Sequence, residues 1–322
     1  MSSLLPPLTV LLAAPRGFCA GVERAVQAVT DALQSTDKPV YVRHEIVHNG
    51  RVVDALKRQG AIFVEDLHSI PDGSVTVFSA HGVPRSVEAE AGRRNLRVVD
   101  STCPLVRRVH LEARRHAGAG RAVIVIGHKG HVEVEGTIGQ VDAPVHVVAT
   151  LADVAGVTVA DPNRVAYVTQ TTLSVDDTLD IIRALRVRFP AIQGPDTKTI
   201  CYATQNRQWA VRALAGRADK VIVCGARNSS NTNRLCEVAE HAGRPALLME
   251  SLADLNPAFL EGTQVVGLTA GASAPEEMVR QALAQLARWR SVTVEEVRVT
   301  EETTRFAPVD LSALKPRRAS GP

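Results

Sequence analysis

The sequence predicts an α/β protein assembled from three copies of one module, each with a mostly parallel sheet. Runs rich in Val and Ile alternate with helical patterns throughout: "TVLLAA" with "GVERAVQAVTDALQ", "AVIVIG" with "HVEVEGTIG", "KVIVCG" with "NTNRLCEVAEHAG". Three cysteines fall between a strand-like run and a helix-like one: Cys19 after "TVLLAAPRGF", Cys103 after "LRVVDST" and Cys201 after "TKTI". Polar clusters then recur at matched distances behind those cysteines.

The first cluster holds His48 in "HEIVHNG", His131 in "GHKGHVEVEG" and Ser229 in "CGARNSSNTN", which follow their cysteines by 29, 28 and 28 residues. The second holds His81 in "VFSAHGVP", Thr171 in "YVTQTTLS" and Ser273 in "LTAGASAPEE", at 62, 68 and 72 residues. A period of about 90 residues is too long for a solenoid unit and suits a small α/β domain. The modules are drawn at residues 8–102, 103–199 and 200–296, with 297–322 as a C-terminal tail whose end, "LKPRRASGP", reads as solvated.

Composition narrows the function. Aromatic residues make up only 3% of the chain, which argues against base stacking, and a net charge of +3 demands neither nucleic acid nor a membrane surface. "LTVLLAA" is short and has no basic residue before it, and no run approaches the roughly 18 apolar residues of a membrane span, so a cytoplasmic location is expected. The five cysteines include no C-x-x-C pair and suggest no disulfide framework. Cys224, inside "KVIVCG", and Cys236, on the apolar face of "NRLCEVAEHA", read as small buried hydrophobes.

In open α/β sheets, ligands bind beyond the carboxyl ends of the strands, where helix N-termini offer unpaired N–H groups. If three modules face one another, Cys19, Cys103, Cys201 and the two polar rings converge on one central site. Three thiolates suit zinc or an iron-sulfur cluster, and spacing alone leaves both open. His48, His81, His131, Thr171, Ser229, Ser230, Asn231 and Ser273 all donate hydrogen bonds, as an anion requires. Each alone is equally an ordinary helix cap; as a matched set they point to a small phosphorylated ligand. No GxxxxGK[ST] loop is present. Glu133 is the carboxylate placed among these groups and the candidate proton donor; Glu135 competes, and a favourable charge at a helix N-terminus explains either.

The segments "PRGFCAGVERAV", "YVRHEIVHNG", "FSAHGVP", "DSTCPLV", "GHKGHVEVEGTIGQ", "TQTTLSVDDT", "ICYATQNRQ", "NSSNTNRL" and "TAGASAPE" closely resemble the 4-hydroxy-3-methylbut-2-enyl diphosphate reductases, which act last in the non-mevalonate isoprenoid pathway. The resemblance runs from about residue 10 to residue 280. It implies a trefoil of three pseudo-threefold related α/β modules around a central 4Fe-4S cluster held by Cys19, Cys103 and Cys201. The remaining iron would bind the substrate hydroxyl. It further implies that His48, His81, His131, Ser229, Ser230, Asn231 and Ser273 surround the diphosphate, that Glu133 delivers protons, and that Thr171 orients that transfer. The implied reaction removes the allylic hydroxyl with two electrons and protons, giving isopentenyl or dimethylallyl diphosphate. No G-x-G-x-x-G fingerprint is visible, so electrons are expected from an external ferredoxin or flavodoxin.

Val132 stands where many members of that family have proline, and Gln205 replaces a small hydroxyl residue. Neither is a proposed ligand. Quinolinate synthase, another three-module enzyme with a three-cysteine cluster, acts on carboxylates and lacks these motifs. A non-enzymatic iron-sulfur sensor would leave Glu133 and the polar rings without a role.

Overall fold

The computed structural model describes residues 5–195 and 199–314. Every pairing between its named strands is parallel, so each connection is a crossover, and helices fill that role. The chain divides into two compact units.

One unit contains the chain up to Cys19, Thr171–Asp180 and Ile200–Thr304. Its strands are β1 (Leu5–Ala14), β9 (Lys220–Cys224), β10 (Ala246–Met249), β11 (Val265–Ala270) and β12 (Arg290–Arg298), in the order β10-β9-β11-β1-β12. Helices α8 (Tyr202–Ala215), α9 (Ser230–His241) and α10 (Glu276–Trp289) accompany them. Strand β1 is buried on both faces. Val10 and Leu12 pack with Ile222, Leu268, Val279 and Leu286, whereas Leu11 and Ala13 pack with Ala210 and Leu214. That two-sided burial is why "TVLLAA" reads as an unbroken apolar run instead of an alternating one.

The other unit contains Ala20–Gln170, Ile181–Thr199 and the chain from Arg305. One of its sheets has the order β3-β2-β4-β5, from β2 (Val40–Arg43), β3 (Ala61–Val64), β4 (Val75–Phe78) and β5 (Arg97–Asp100). The second has the order β7-β6-β8, from β6 (Ala122–Ile126), β7 (Val145–Val148) and β8 (Val165–Thr169). Helices α1 (Ala20–Gln34), α2 (Gly50–Arg58), α3 (Arg85–Arg93), α4 (Pro104–Gly118), α5 (Val132–Ile138) and α6 (Leu151–Gly156) belong here. Helix α7 (Val175–Arg188) begins in the first unit and ends in the second.

All three sheets share one local order. In each, the first of three consecutive strands (β2, β6 or β9) lies between the next two, so the chain steps to one side and then crosses to the other. That reversal opens a crevice at the carboxyl edge, the place where open α/β sheets bind ligands. His48 and His81 follow the two strands flanking this crevice in the first sheet, His131 and Thr171 in the second, and Ser229 and Ser273 in the third.

Three features differ from the sequence reading. Strand β1, drawn with the first module, pairs with β11 and β12 in the sheet built from the last third of the chain. The proposed tail boundary at residue 297 falls inside β12, which is therefore sheet and not tail; only the end of that tail, 315–322, lies outside the described residues. No strand is found at Thr199–Cys201; the nearest extended pairing is a single bridge between Ala166 and Gln193, and 196–198 lie outside the described residues.

Two glycines set how closely α9 approaches its sheet. A Cβ on Gly225 or on Gly271 would lie 2.3 Å from Oγ1 of the buried Thr232. Gly271→Ala is therefore expected to lower unfolding free energy by about 1–3 kcal/mol, the usual cost of overpacking, in urea titration. Gly50→Ala, whose added methyl meets nothing within 4 Å, is the control and should not destabilise. Equal midpoints for the two variants would refute the close-approach account.

Candidate active site

In the second unit, successive backbone bonds lace three loops together. The Ala80 N–H donates to the Ile46 carbonyl, binding the loop after β4 to the loop after β2. The Ala80 carbonyl in turn accepts from the Cys103 N–H, at 3.0 Å. His48, His81 and Cys103 are thereby carried on one hydrogen-bonded platform. Gly82, at φ +77°, makes the turn after His81, and a Cβ there would lie 2.5 Å from the ring of buried His110.

This platform brings the predicted imidazoles together. The rings of His48 and His81 stack with centroids 4.1 Å apart, and His131 meets them edge-on at 5.3 and 6.3 Å. The Nδ1 atom of His48 lies 3.2 Å from Glu45 Oε2, and His81 Nδ1 lies 3.3 Å from Ser79 Oγ. His131 is the N-cap of α5, where its Nδ1 accepts from the Glu133 N–H at 3.1 Å. An accepting Nδ1 places the ring proton on Nε2. That buried Nε2–H has no hydrogen-bond partner in the structure, so it is a donor held ready for an acceptor.

Burial, reinforced by His48, His131 and His44, holds His81 well below the ordinary histidine range. Burial together with His48 and His128 lowers His131 to about 4. Both rings are neutral near pH 7. Glu133, in the first turn of α5, is only 2% exposed, whereas Glu135 is exposed and accepts from the Gly130 N–H at 3.3 Å. The two candidate carboxylates thus differ in environment, and Glu133 is the enclosed one.

In the first unit, Cys19 lies just past β1, its N–H donating to the Ala272 carbonyl at 3.2 Å. Cys201 is the N-cap of α8: its N–H donates to the Thr171 carbonyl, and its Sγ accepts from the Thr204 N–H at 3.3 Å, with Thr204 Oγ1 3.1 Å away. Ser229 caps α9, and Ser273 Oγ donates to Ser229 Oγ at 3.4 Å. Thr172 Oγ1 donates to Ser230 Oγ at 3.1 Å. Asn231 Oδ1 accepts from the Ala272 N–H at 2.9 Å, and its Nδ2 reaches Thr204 Oγ1 at 3.5 Å, so this amide braces the turns around it.

The remaining cysteines have other surroundings. Cys224 is buried within β9. Burial beside Glu240 and Glu237 pushes the Cys236 thiol up to about 12, which disfavours the thiolate that a metal needs. Among the described residues, no three His, Cys, Asp or Glu side chains are grouped to ligate a single metal ion. A cubane makes no such demand, because each iron that the protein ligates takes one thiolate. Cys19, Cys103 and Cys201 are partly exposed thiols at strand ends and helix N-termini, each chemically suited to ligate one iron.

Two contributors were missed from sequence. Glu45 is the partner of His48 Nδ1, three residues before it. Thr204 links Cys201 to Asn231, and its place three residues after an N-cap is the signal that marks it.

The fold defines an open parallel α/β protein that places thiols, imidazoles and hydroxyls at the carboxyl ends of its strands. The chain belongs to the LytB protein family, whose model matches residues 10–287. It is 52% identical to the 4-hydroxy-3-methylbut-2-enyl diphosphate reductase of Zymomonas mobilis, over 97% of this chain and 92% of that one. It is 59% identical to the enzyme of the same name from Aromatoleum aromaticum, over 84% and 86%. A solved structure of the E-1-hydroxy-2-methyl-but-2-enyl-4-diphosphate reductase from Plasmodium falciparum matches with a TM-score of 0.91 and 36% identity, covering 94% of this chain and 96% of that one. A second, of an (E)-4-hydroxy-3-methyl-but-2-enyl diphosphate reductase described as the terminal enzyme of the non-mevalonate pathway, matches with a TM-score of 0.63 and 30% identity over 87% and 99%. No described helix is long and apolar enough to cross a membrane.

Neutral imidazoles that receive a polyanion gain protons, because its charge favours the imidazolium. The complex then holds more protons than the free protein, and affinity falls as pH rises through the complex's pKa values. Calorimetry with inorganic diphosphate in buffers of different ionisation enthalpy is expected to show proton uptake near pH 7, and less of it in His131→Ala. Equal proton exchange in both chains would contradict this account.

Proposed function

We propose that this chain reduces (E)-4-hydroxy-3-methylbut-2-enyl diphosphate to isopentenyl and dimethylallyl diphosphate, the last step of the non-mevalonate isoprenoid pathway. The triangle of His48, His81 and His131 carries the reading: three packed imidazoles, one with an unpartnered buried N–H, suit a phosphate-bearing ligand. The reaction consumes two electrons and two protons, replaces the C–O bond with C–H, and releases water.

Each residue has a physical task. His48, His81 and His131 donate hydrogen bonds to diphosphate oxygens, and His81 and His131 take up charge as it binds. Ser229, Ser230, Asn231 and Ser273 supply further donors from the N-terminal turn of α9 and from the turn after β11, where the helix end itself favours an anion. Glu133 holds the proton destined for the leaving hydroxyl. Its burial keeps water from competing for that proton, and Thr171 orients the transfer. Cys19, Cys103 and Cys201 would hold a 4Fe-4S cluster, which when bound would supply single electrons and an iron without a protein ligand. Electrons come from an external ferredoxin or flavodoxin, since the sequence has no nicotinamide or flavin fingerprint. The free cysteines accord with a cytoplasmic setting, where thiols stay reduced.

Replacing Cys19, Cys103 or Cys201 singly by Ser is expected to reduce iron content after anaerobic reconstitution and nearly abolish turnover; Cys224→Ala and Cys236→Ala should keep both. Full iron and activity in any of the first three would reject the ligand set. Glu133→Gln retains shape but carries no proton to give. With a chemical electron donor it should lose at least about a hundredfold in turnover, within the range for positioned general acids, at an unchanged melting temperature. Near-normal turnover would assign the proton to Glu135 or to water and leave Glu133 as a helix-end charge.

A further inference from the structure

Arg207 lies on α8, six residues past Cys201, and is fully buried. Its Nε and Nη2 donate to the Gly17 carbonyl at 3.0 and 2.7 Å, and Nη2 also reaches the Phe18 carbonyl at 3.2 Å. Its Nη1 donates to the Ala203 carbonyl at 3.0 Å and to Glu302 Oε1 at 2.9 Å, an oxygen that also accepts from Asn206 Nδ2 at 3.0 Å. Gly17 and Phe18 are the two residues before Cys19. Glu302 lies beyond β12, outside the stretch matched by the family model, in what the sequence suggests is tail. Its side chain is 14% exposed.

A buried guanidinium persists only when its charge is matched and its donors are used. Here six donor contacts, among them one from Nη2 to Glu302 Oε2 at 3.4 Å, go to three carbonyls and one carboxylate, and the carbonyls belong to the two elements that carry Cys19 and Cys201. The same loop's amides are already fixed, with Gly17 N–H on the Ala270 carbonyl and Cys19 N–H on the Ala272 carbonyl. Its amides are therefore held by the end of β11 and the turn that follows, and its carbonyls by Arg207.

We propose that Arg207 and Glu302 are positioning residues for the cysteine ligands. The guanidinium sets the Cys19 loop against the Cys201 helix, and the C-terminal segment locks it by supplying the counter-charge. This rests on the reading that Cys19 and Cys201 hold the cluster. Without the carboxylate, the arginine is left with an unmatched buried charge, and its escape toward water frees the Gly17 and Phe18 carbonyls. The loop before Cys19 then opens locally while the sheet beneath it stays folded.

Glu302→Gln keeps size and hydrogen bonding but removes the charge; Glu302→Asp keeps the charge. In the cluster-free chain, amide hydrogen exchange over residues 16–19 should accelerate at least about tenfold in Glu302→Gln, with β9 and β11 unchanged and Glu302→Asp intermediate. In the reconstituted protein, iron loss to a chelator should accelerate by a similar factor of about ten. Wild-type exchange in Glu302→Gln, or acceleration spread evenly over the sheet, would overturn the proposal. Should Glu302→Gln yield no folded protein, Glu302→Asp against wild type is read by the same criteria. A wild-type chain that takes up no cluster would instead overturn the proposed function, while the exchange experiment, which needs no cluster, still decides the positioning role.

Discussion

Parallel pairing is the constraint on which this structure depends. Because all strands of a sheet point the same way, their carboxyl ends and the following helix N-termini lie along one edge, and polar side chains accumulate there without disturbing the core. The shared strand order then decides which positions face a crevice. His48 with His81 and Ser229 with Ser273 come into contact because each pair closes two strands on either side of a reversal in order. The remote backbone bonds, such as Ala80 with Ile46 and with Cys103, fix loops that would otherwise be free to vary.

The electrostatics of the site follow from its burial. Three imidazoles packed ring against ring cannot all be charged in the absence of a counter-ion, and the lowered values of His81 and His131 express that cost. With His81 and His131 neutral near pH 7, the rings pack without the repulsion that charged neighbours would bring. Glu133 shares the helix turn capped by His131, so a change of charge at the imidazoles is felt at the carboxylate next to them.

Much of this was legible in the sequence, and for definite reasons. Cysteines and polar clusters at strand ends recur with a regular period, so counting finds them. Strand partners do not leave such a trace: nothing local in "TVLLAA" says that it pairs with residues more than 250 positions away. Arg207 in "TQNRQW" and Glu302 in "TEETT" look like surface charges, and only their burial against one another distinguishes them. Asn231 reads from sequence as a ligand donor, and its bonds to Ala272 and Thr204 are brace contacts that residue type alone does not reveal.

The placement of β1 has a consequence for biosynthesis. Strand β1 leaves the ribosome long before its neighbours, β11 and β12, which follow only after roughly 250 further residues, about 15–60 s later at common rates of elongation. Throughout that interval a two-sided apolar strand is without its sheet, in a protein whose second unit can already be packing. Such a strand invites pairing with the wrong edge or with another nascent chain. Yield in the cell should therefore depend on what shields the N-terminus during synthesis more than on the stability of the finished fold.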